Sequence, residues 1–235
     1  MQHRKWPLAV IFGALFAFGL TVNANSKPEK IWKITSLNWQ PYSNAEIANQ
    51  GSSIQRLREI LKQHGVRLIV EFYPWERAQS KAKEAGYLGY FPAWPEEVSQ
   101  GFISSEAIDW SNISVMTNTT TSITFSSIDD LFKRFNVGVI SAYVYPKPIT
   151  DAMIKYPHNV EKANNEMILL KKLSKGRTPV AITDPKVMMY IAKREAITNV
   201  TILKSLMTNK LVIALTDSAE NRSRIKQLTE ILASQ

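Results

Sequence analysis

Short apolar runs alternate with amphipathic stretches along most of the chain. Strand-type runs predict strands at residues 31–37, 66–73, 87–91, 113–117, 122–125, 136–140, 180–183, 199–203 and 210–215. Apolar residues at helical spacing, with Ser or Asp at the start or Gly at the end, predict helices near residues 53–64, 75–85, 128–132, 166–173, 184–193 and 218–232, and a further helix after Pro148. Ser52 or Ser53 is the expected cap of the first helix. This alternation predicts an α/β architecture with mainly parallel sheets.

The loops after the strands are the places to look for a site. In parallel α/β sheets, ligands bind beyond the carboxyl ends of the strands. The loops expected at that edge are 38–43, 73–77, 92–98, 141–145 and 183–185. No repeat or low-complexity linker divides the chain, and the Thr-rich stretch 118–122 comes nearest to a domain boundary.

The first 24 residues have the pattern of a cleavable secretory signal. Arg4 and Lys5 precede the uncharged apolar run Leu8–Leu20, and small residues end at Ala24. The run is too short to span a bilayer comfortably, which disfavours the alternative of an uncleaved anchor. We therefore predict secretion to the periplasm with cleavage after Ala24.

Composition narrows the possible functions. The chain has 235 residues, of which 45% are hydrophobic and 21% charged, which excludes a disordered or collagen-like protein. It has no cysteine, so disulfides, Cys-ligated metals and thiol nucleophiles are excluded. Loss of Arg4 and Lys5 leaves 27 basic and 20 acidic side chains, a net charge of +7. The basic residues are scattered and form no nucleic-acid motif, which favours a solvated basic surface.

Five motifs stand in a fixed order along the chain. They are Trp39-Gln40-Pro41-Tyr42, Pro74–Ala78 (PWERA), Gly86–Trp94 (GYLGYFPAW), Ser127–Leu131 (SIDDL) and Leu170–Arg177 (LKKLSKGR) followed by Val180–Asp184 (VAITD). In order and spacing they resemble the bacterial extracellular solute-binding proteins of family 3. This family serves polar amino-acid ABC transporters, and the chain is most similar to its short, orphan members.

The resemblance implies a fold, a mechanism and partners. The fold is a two-lobe periplasmic-binding-protein fold of type II (a Venus flytrap) with two hinge crossovers. Lobe 1 would comprise residues 25–110 and 211–235, and lobe 2 residues 111–210. A small-molecule ligand would bind between lobes that close by hinge bending. The protein would be a monomer that passes its ligand to an ABC-transporter permease or, alternatively, reports it to a membrane sensor.

Several residues match ligand-binding positions of the family or lie beside them. Trp39 matches a position where an aromatic ring contacts the ligand, and Trp75 falls near a second one. Tyr42, Trp94, Tyr143 and Tyr145 lie on loops at the same rim. Trp39 and Trp75 have the alternative of being core tryptophans, and Tyr42 that of packing under its loop.

Asp184 matches the acidic residue that binds the ligand's amino group, because a carboxylate at a strand end suits an ammonium. Asp184-Pro185 is also a good helix start, with Asp as the N-cap and Pro at the first helical position. The two roles are compatible.

The chain departs from the family where a ligand carboxylate would bind. Glu97 stands where amino-acid binders have a carboxylate-clamping Arg, and a carboxylate cannot replace a guanidinium. Arg77 is the nearest substitute, although at a helix start it is equally a surface residue. Ser141-Ala142-Tyr143 replaces the usual glycine-containing loop. These departures argue against an ordinary α-amino acid and allow an amine, a peptide, a sugar-like ligand or a decayed site.

An enzyme on the same fold is the alternative from another class. Glu96, Glu97 and Glu106 lie nearest the expected cleft, and paired carboxylates can do acid–base chemistry. Exposed loop acids are the simpler interpretation. His64 and His158 lack partners at metal-ligand spacing, and no catalytic or phosphate-binding motif is present. We therefore predict a binding protein that is not an enzyme and needs neither cofactor nor metal.

Overall fold

The computed structural model of the protein describes Met1 and residues 30–234. The predicted signal at residues 1–24 lies, except for Met1, outside the described residues, as do residues 25–29 and Gln235. In the described part of the chain, no helix is both long and apolar enough to cross a membrane.

The described residues form nine strands and seven α-helices. The strands are β1 (Lys30–Ser36), β2 (Val66–Phe72), β3 (Gly89–Ala93), β4 (Phe102–Ser104), β5 (Asp109–Asn118), β6 (Val137–Ile140), β7 (Val160–Ala163), β8 (Val180–Thr183) and β9 (Val200–Thr216). The helices are α1 (Ser52–Gln63), α2 (Trp75–Lys81), α3 (Ile128–Arg134), α4 (Lys147–Lys155), α5 (Glu166–Ser174), α6 (Pro185–Arg194) and α7 (Ala219–Ala233). A short 3-10 helix, Pro95–Glu97, follows β3.

The strands form two sheets that share β9. Their order is β2-β1-β3-β9-β5-β8-β6-β7, and β4 also pairs with β9. We call β1–β4 the first sheet and β5–β8 the second sheet. β1 is parallel to β2 and β3, and β6 is parallel to β7 and β8. The predicted α/β class is confirmed, but the sheets are parallel only away from the junction, where β5 and β9 make antiparallel pairs.

β9 connects the two sheets as one continuous strand. Residues 200–211 pair with β5, and residues 212–216 pair with β3 and β4. The prediction of separate strands at 199–203 and 210–215 was wrong, because the polar residues between them form an exposed ribbon against β5 instead of a loop. The lobe boundaries at residues 110/111 and 210/211 stay predictions.

Two other predictions fail for local reasons. The strand expected at residues 122–125 is irregular in the structure. β7 was not predicted, because charged Glu161 and Lys162 interrupt its apolar pattern. β7 pairs only with β6 and ends the sheet, so one side of its backbone needs no strand partner.

Hydrogen bonds from the first residues of α1 fix the position of the loop that follows β1. Neither Ser52 nor Ser53 caps the helix as expected; the N-cap is Gly51, at φ 102°. The N–H groups of Ser52 and Ser53 donate instead to the carbonyls of Pro41 and Tyr42, at 2.9 and 3.0 Å. A Cβ at position 51 would lie 2.4 Å from the Tyr42 carbonyl oxygen, so this close approach requires glycine. The Trp39–Tyr42 loop is thereby fixed beside the helix.

Candidate functional site

The candidate site lies in a cleft at the carboxyl ends of strands from both sheets. From the first sheet come the loop after β1, the start of α2 and the segment after β3. From the second sheet come the loop after β6 and the starts of α5 and α6. This is the edge at which α/β sheets bind ligands, and the sequence predicted most of these loops for it.

Five aromatic side chains meet at the inner end of the cleft. We call Trp39, Tyr42, Trp94, Tyr143 and Tyr145 the aromatic cluster. The Trp39 and Tyr42 rings stack at 4.5 Å between centroids, and the Trp94 and Tyr143 rings meet edge to face at 5.0 Å. All are buried except Tyr143, which is partly buried. The inner cavity beside them, lined also by Trp75 and Glu97, has only about 20 Å³, which holds one water molecule.

A chain of hydrogen bonds runs through Tyr143. The Trp39 indole Nε1–H donates to the Tyr143 hydroxyl at 2.5 Å, and that hydroxyl donates to Glu166 Oε1. Burial and the negative charge of Glu166 raise the pKa of Tyr143 well above its usual range, so the phenol stays protonated. Trp39 and Glu166 belong to different sheets, and Tyr143 therefore links them.

Asp184 is buried and bonded within the protein. Its Oδ1 accepts from the backbone N–H groups of Lys186 and Val187 at 2.7 and 3.1 Å, as the N-cap of α6. Its Oδ2 accepts from the Tyr42 hydroxyl at 2.9 Å. Burial raises the Asp184 pKa to about 6, against the lowering effect of these donors. The capping role is thus observed, while its contact with a ligand stays a prediction.

Glu97 is a buried carboxylate of the cleft. The expectation of an exposed loop acid was wrong, since only 9% of the residue is exposed. Its Oε2 accepts from the Trp94 backbone N–H at 2.9 Å, and the Trp75 indole and the Val144 backbone amide lie close enough to lower its pKa. Burial raises its pKa to about 7 despite these donors. Glu96, in contrast, is exposed and accepts from Asn209 Nδ2 at 3.0 Å.

Trp75 and Arg77 lie in the same turn of α2, but their side chains have different surroundings. Trp75 is buried, packs edge to face on Tyr90 at 5.5 Å and lines the cleft. The Arg77 guanidinium is exposed and lies 5.4 Å from the centre of the Tyr73 ring. Arg77 is not among the described residues that line the cleft cavities.

An outer cavity of about 260 Å³ opens beside Trp75 and Tyr143. Its lining residues are Leu37, Asn38, Pro74, Trp75 and Glu76 from the first sheet's side, and Ile140, Ala142, Tyr143, Asn164 and Glu166 from the second. An adjoining groove, lined by Leu37, Asn38, Phe72, Tyr73, Pro74 and Trp75, has about 270 Å³. The open space of the cleft is therefore on this outer side.

Sequence reasoning missed Glu76, Asn164 and Glu166. Glu76 stands inside the PWERA motif, between the predicted site residues Trp75 and Arg77. Its place at the start of α2, at the expected edge of the sheet, could have indicated it. Glu166 and Asn164 follow β7, and because that strand was not predicted, the loop after it was not considered. Among residues 30–234, no group of three or more His, Asp or Glu side chains is placed to hold a metal ion.

Comparison with known proteins gives matches by structure only. No protein-family model matches the sequence, and no curated protein matches it either. A histidine kinase sensor domain similar to periplasmic binding proteins superposes with a TM-score of 0.69 at 14% identity, over 88% of this chain and 91% of that chain. The chain has the two-lobe, type II fold of periplasmic binding proteins.

Two further solved structures also superpose on this chain. The GluR0 ligand-binding core in complex with L-glutamate has a TM-score of 0.69 at 15% identity, over 88% of this chain and 93% of that chain. An arginine 3rd transport system periplasmic binding protein from Legionella pneumophila has a TM-score of 0.64 at 18% identity, over 87% of this chain and 93% of that chain. We refer below to the lobe of each sheet as the first and the second lobe.

The bonds of Asp184 predict unequal effects of two substitutions. Asp184→Ala removes the cap of α6 and leaves the Tyr42 hydroxyl without its acceptor, so we expect a loss of about 2–4 kcal/mol of unfolding free energy. Asp184→Asn keeps an acceptor for the cap, and we expect a loss of about 1 kcal/mol. Urea denaturation measures both, with Ser218→Ala, the cap of α7, as the control. Asp184→Ala no worse than Ser218→Ala would contradict this account.

Glu97 also makes stability depend on pH. Its pKa is about 7 in the folded protein against an ordinary 4.5, so the folded state binds the proton more tightly than the unfolded chain. This stabilisation is complete below the ordinary pKa and is lost as the pH rises through about 7. We expect the unfolding free energy to fall by about 3 kcal/mol across this window, with Asp184 adding a change of the same sign.

Urea denaturation across the same window, repeated on two variants, isolates the contribution of Glu97. Glu97→Gln should remove most of the fall, whereas Glu96→Gln, at an exposed neighbour, should leave it unchanged. Equal pH profiles for the wild type and Glu97→Gln would show that the Glu97 carboxyl is not the group responsible.

Proposed function

We propose that the protein is a periplasmic solute-binding protein that captures a small polar ligand between its two lobes by hinge closure. The observation that carries this proposal is the outer cavity, because its walls come from both lobes. Leu37 and Trp75 line it from the first lobe, and Tyr143 and Glu166 line it from the second. A ligand seated there contacts both lobes at once and so favours the closed arrangement.

The connections between the lobes support hinge closure. β9 runs from the second sheet into the first, and β5, which pairs with it over 10 residues, begins at the junction. Two extended strands can flex at the crossing while each lobe keeps its own packing. The bonds from Trp39 to Tyr143 and from Tyr42 to Asp184 join the lobes directly and stabilise the closed arrangement.

We further propose that the bound ligand is handed to an ABC-transporter permease. The similar periplasmic binding protein from Legionella pneumophila is described as part of an arginine transport system, and the predicted signal segment supports a periplasmic location. Delivery to a membrane sensor is the second candidate, favoured by the likeness to a histidine kinase sensor domain. Recovery of a permease or of a receptor when the ligand-loaded protein is used to capture detergent-solubilised membrane proteins separates the two candidates.

We propose binding without turnover. Glu97 has its carboxylate engaged by donors of the chain itself, and Glu96 is exposed and bonded to Asn209. A general acid or base must reach a proton of the substrate, and this arrangement favours a structural role for Glu97. Conversion of a bound ligand, abolished by Glu97→Gln with binding retained, would support the enzyme alternative instead.

A thermal-unfolding screen of residues 25–235 tests the binding function. The compounds are amino acids, amines, peptides, sugars and organic acids. A ligand at a hundredfold excess over its dissociation constant adds about 2.7 kcal/mol to the unfolding free energy, so one class should raise the melting temperature clearly. No shift with any class would contradict the proposal.

The same measurement on two tyrosine variants tests the location. Tyr143→Ala removes a wall of the outer cavity, and we expect it to weaken binding by about tenfold or more. Tyr156→Ala, at the end of α4, changes a partly buried tyrosine outside the cleft and should leave affinity unchanged. Equal affinities in the two variants would place the site elsewhere.

A further inference from the structure

Glu97 places a carboxyl group of the protein itself among polar groups of the cleft. The Trp94 backbone N–H donates to its Oε2 at 2.9 Å, and the nearby Trp75 indole and Val144 backbone amide lower its pKa. Trp94 and Trp75 belong to the first lobe, and Val144 lies in the loop after β6 in the second. An acidic side chain of the protein therefore stands beside polar groups of both lobes. A ligand's carboxylate there would find the Trp94 N–H already engaged, and it would meet repulsion whenever Glu97 is ionised.

The charged side chains that line the open cleft are all carboxylates. Among the described residues that line the inner cavity, the outer cavity and the adjoining groove, there is no lysine or arginine. Glu76 and Glu166 line the outer cavity, and Glu97 lines the inner one. Arg77 and Lys186, two cations that are not among these lining residues, lie over the Tyr73 and Tyr42 rings at 5.4 and 4.6 Å. An anionic group in the outer cavity thus meets carboxylates without a lining counter-charge.

The walls of the outer cavity suit a positive charge. Glu166 uses Oε1 to accept from Tyr143, and a carboxylate has a second oxygen that can accept from a ligand. The Trp75 and Tyr143 rings border the same space, and aromatic faces attract ammonium and guanidinium groups. Asn38 and Asn164 add amide groups at the rim.

We propose that the outer cavity binds an organic cation without a carboxylate, such as a primary amine or a guanidinium compound, with Glu166 as its counter-charge. This proposal rests on the proposed binding function and names its ligand class. Trp75 and Tyr143 supply the apolar walls, and Glu76 adds a second negative charge at the mouth. An α-amino acid with the same side chain differs by one carboxylate, which the cleft repels.

Matched pairs of compounds test the ligand class. Isothermal titration of residues 25–235 compares agmatine with arginine, cadaverine with lysine and phenethylamine with phenylalanine. Each pair shares its carbon chain and amine, and only the amino acid has the carboxylate. In at least one pair we expect the amine to bind about tenfold or more tightly than its amino acid, with an affinity that falls as salt is added. Amino acids that bind as well as or better than their amines would overturn the cation proposal while the binding function stands.

Charge-removing variants of equal size test the site. Glu166→Gln should weaken amine binding by about tenfold or more, since it loses a charge-assisted hydrogen bond. Glu195→Gln makes the same change of net charge at the end of α6, outside the cavity lining, and should leave the affinity within about twofold. Glu76→Gln, at an exposed residue, should cause a smaller loss and provides a test if Glu166→Gln does not fold.

Each remaining outcome decides a different claim. Amine binding that Glu166→Gln and Glu76→Gln weaken no more than Glu195→Gln would overturn the assignment of the site. Binding of sugars or neutral peptides alone would overturn the cation proposal and leave the binding function in place. Absence of binding by every compound class would contradict the binding function itself.

Discussion

Glu97 is a carboxyl group that is removed from water and interacts with both lobes. The Trp94 backbone N–H, in the first lobe, donates to it at 2.9 Å, and the Trp75 indole of the same lobe and the Val144 amide of the second lobe lie close enough to lower its pKa. An unpaired buried carboxylate costs several kcal/mol, so the segments that provide these donors are constrained together. The 3-10 helix after β3, the start of α2 and the loop after β6 are the segments that bring these groups together at Glu97.

The aromatic cluster lies beside Glu97 around the inner cavity. Within it, Tyr143 lies between Trp39 and Glu166 and bonds to both. The inner end of the cleft is then filled by the protein's own rings, and space remains only on the outer side. The same residues that close the lobes on each other therefore decide which part of the cleft can receive a ligand, and which charge it can carry.

The sequence was informative where the pattern is local. Strand ends and loops predicted that Trp39, Trp94, Tyr143 and Asp184 lie at one edge, because carboxyl ends of strands share an edge. The burial of Glu97 was not predictable, since it depends on Val144, which is distant along the chain. Glu166 escaped notice because charges in β7 hide that strand. Continuity of β9 through its polar middle depends on pairing with β5, which no single stretch of sequence displays.

Nuclear magnetic resonance tests directly whether the Glu97 carboxylate interacts with the second lobe. The Val144 amide and the Trp75 indole N–H resonances are followed as the pH is raised. If both protons bond to the Glu97 carboxylate, both resonances shift with one common midpoint near 7, the pKa of that group. Resonances that do not respond, or that follow different midpoints, would contradict the account.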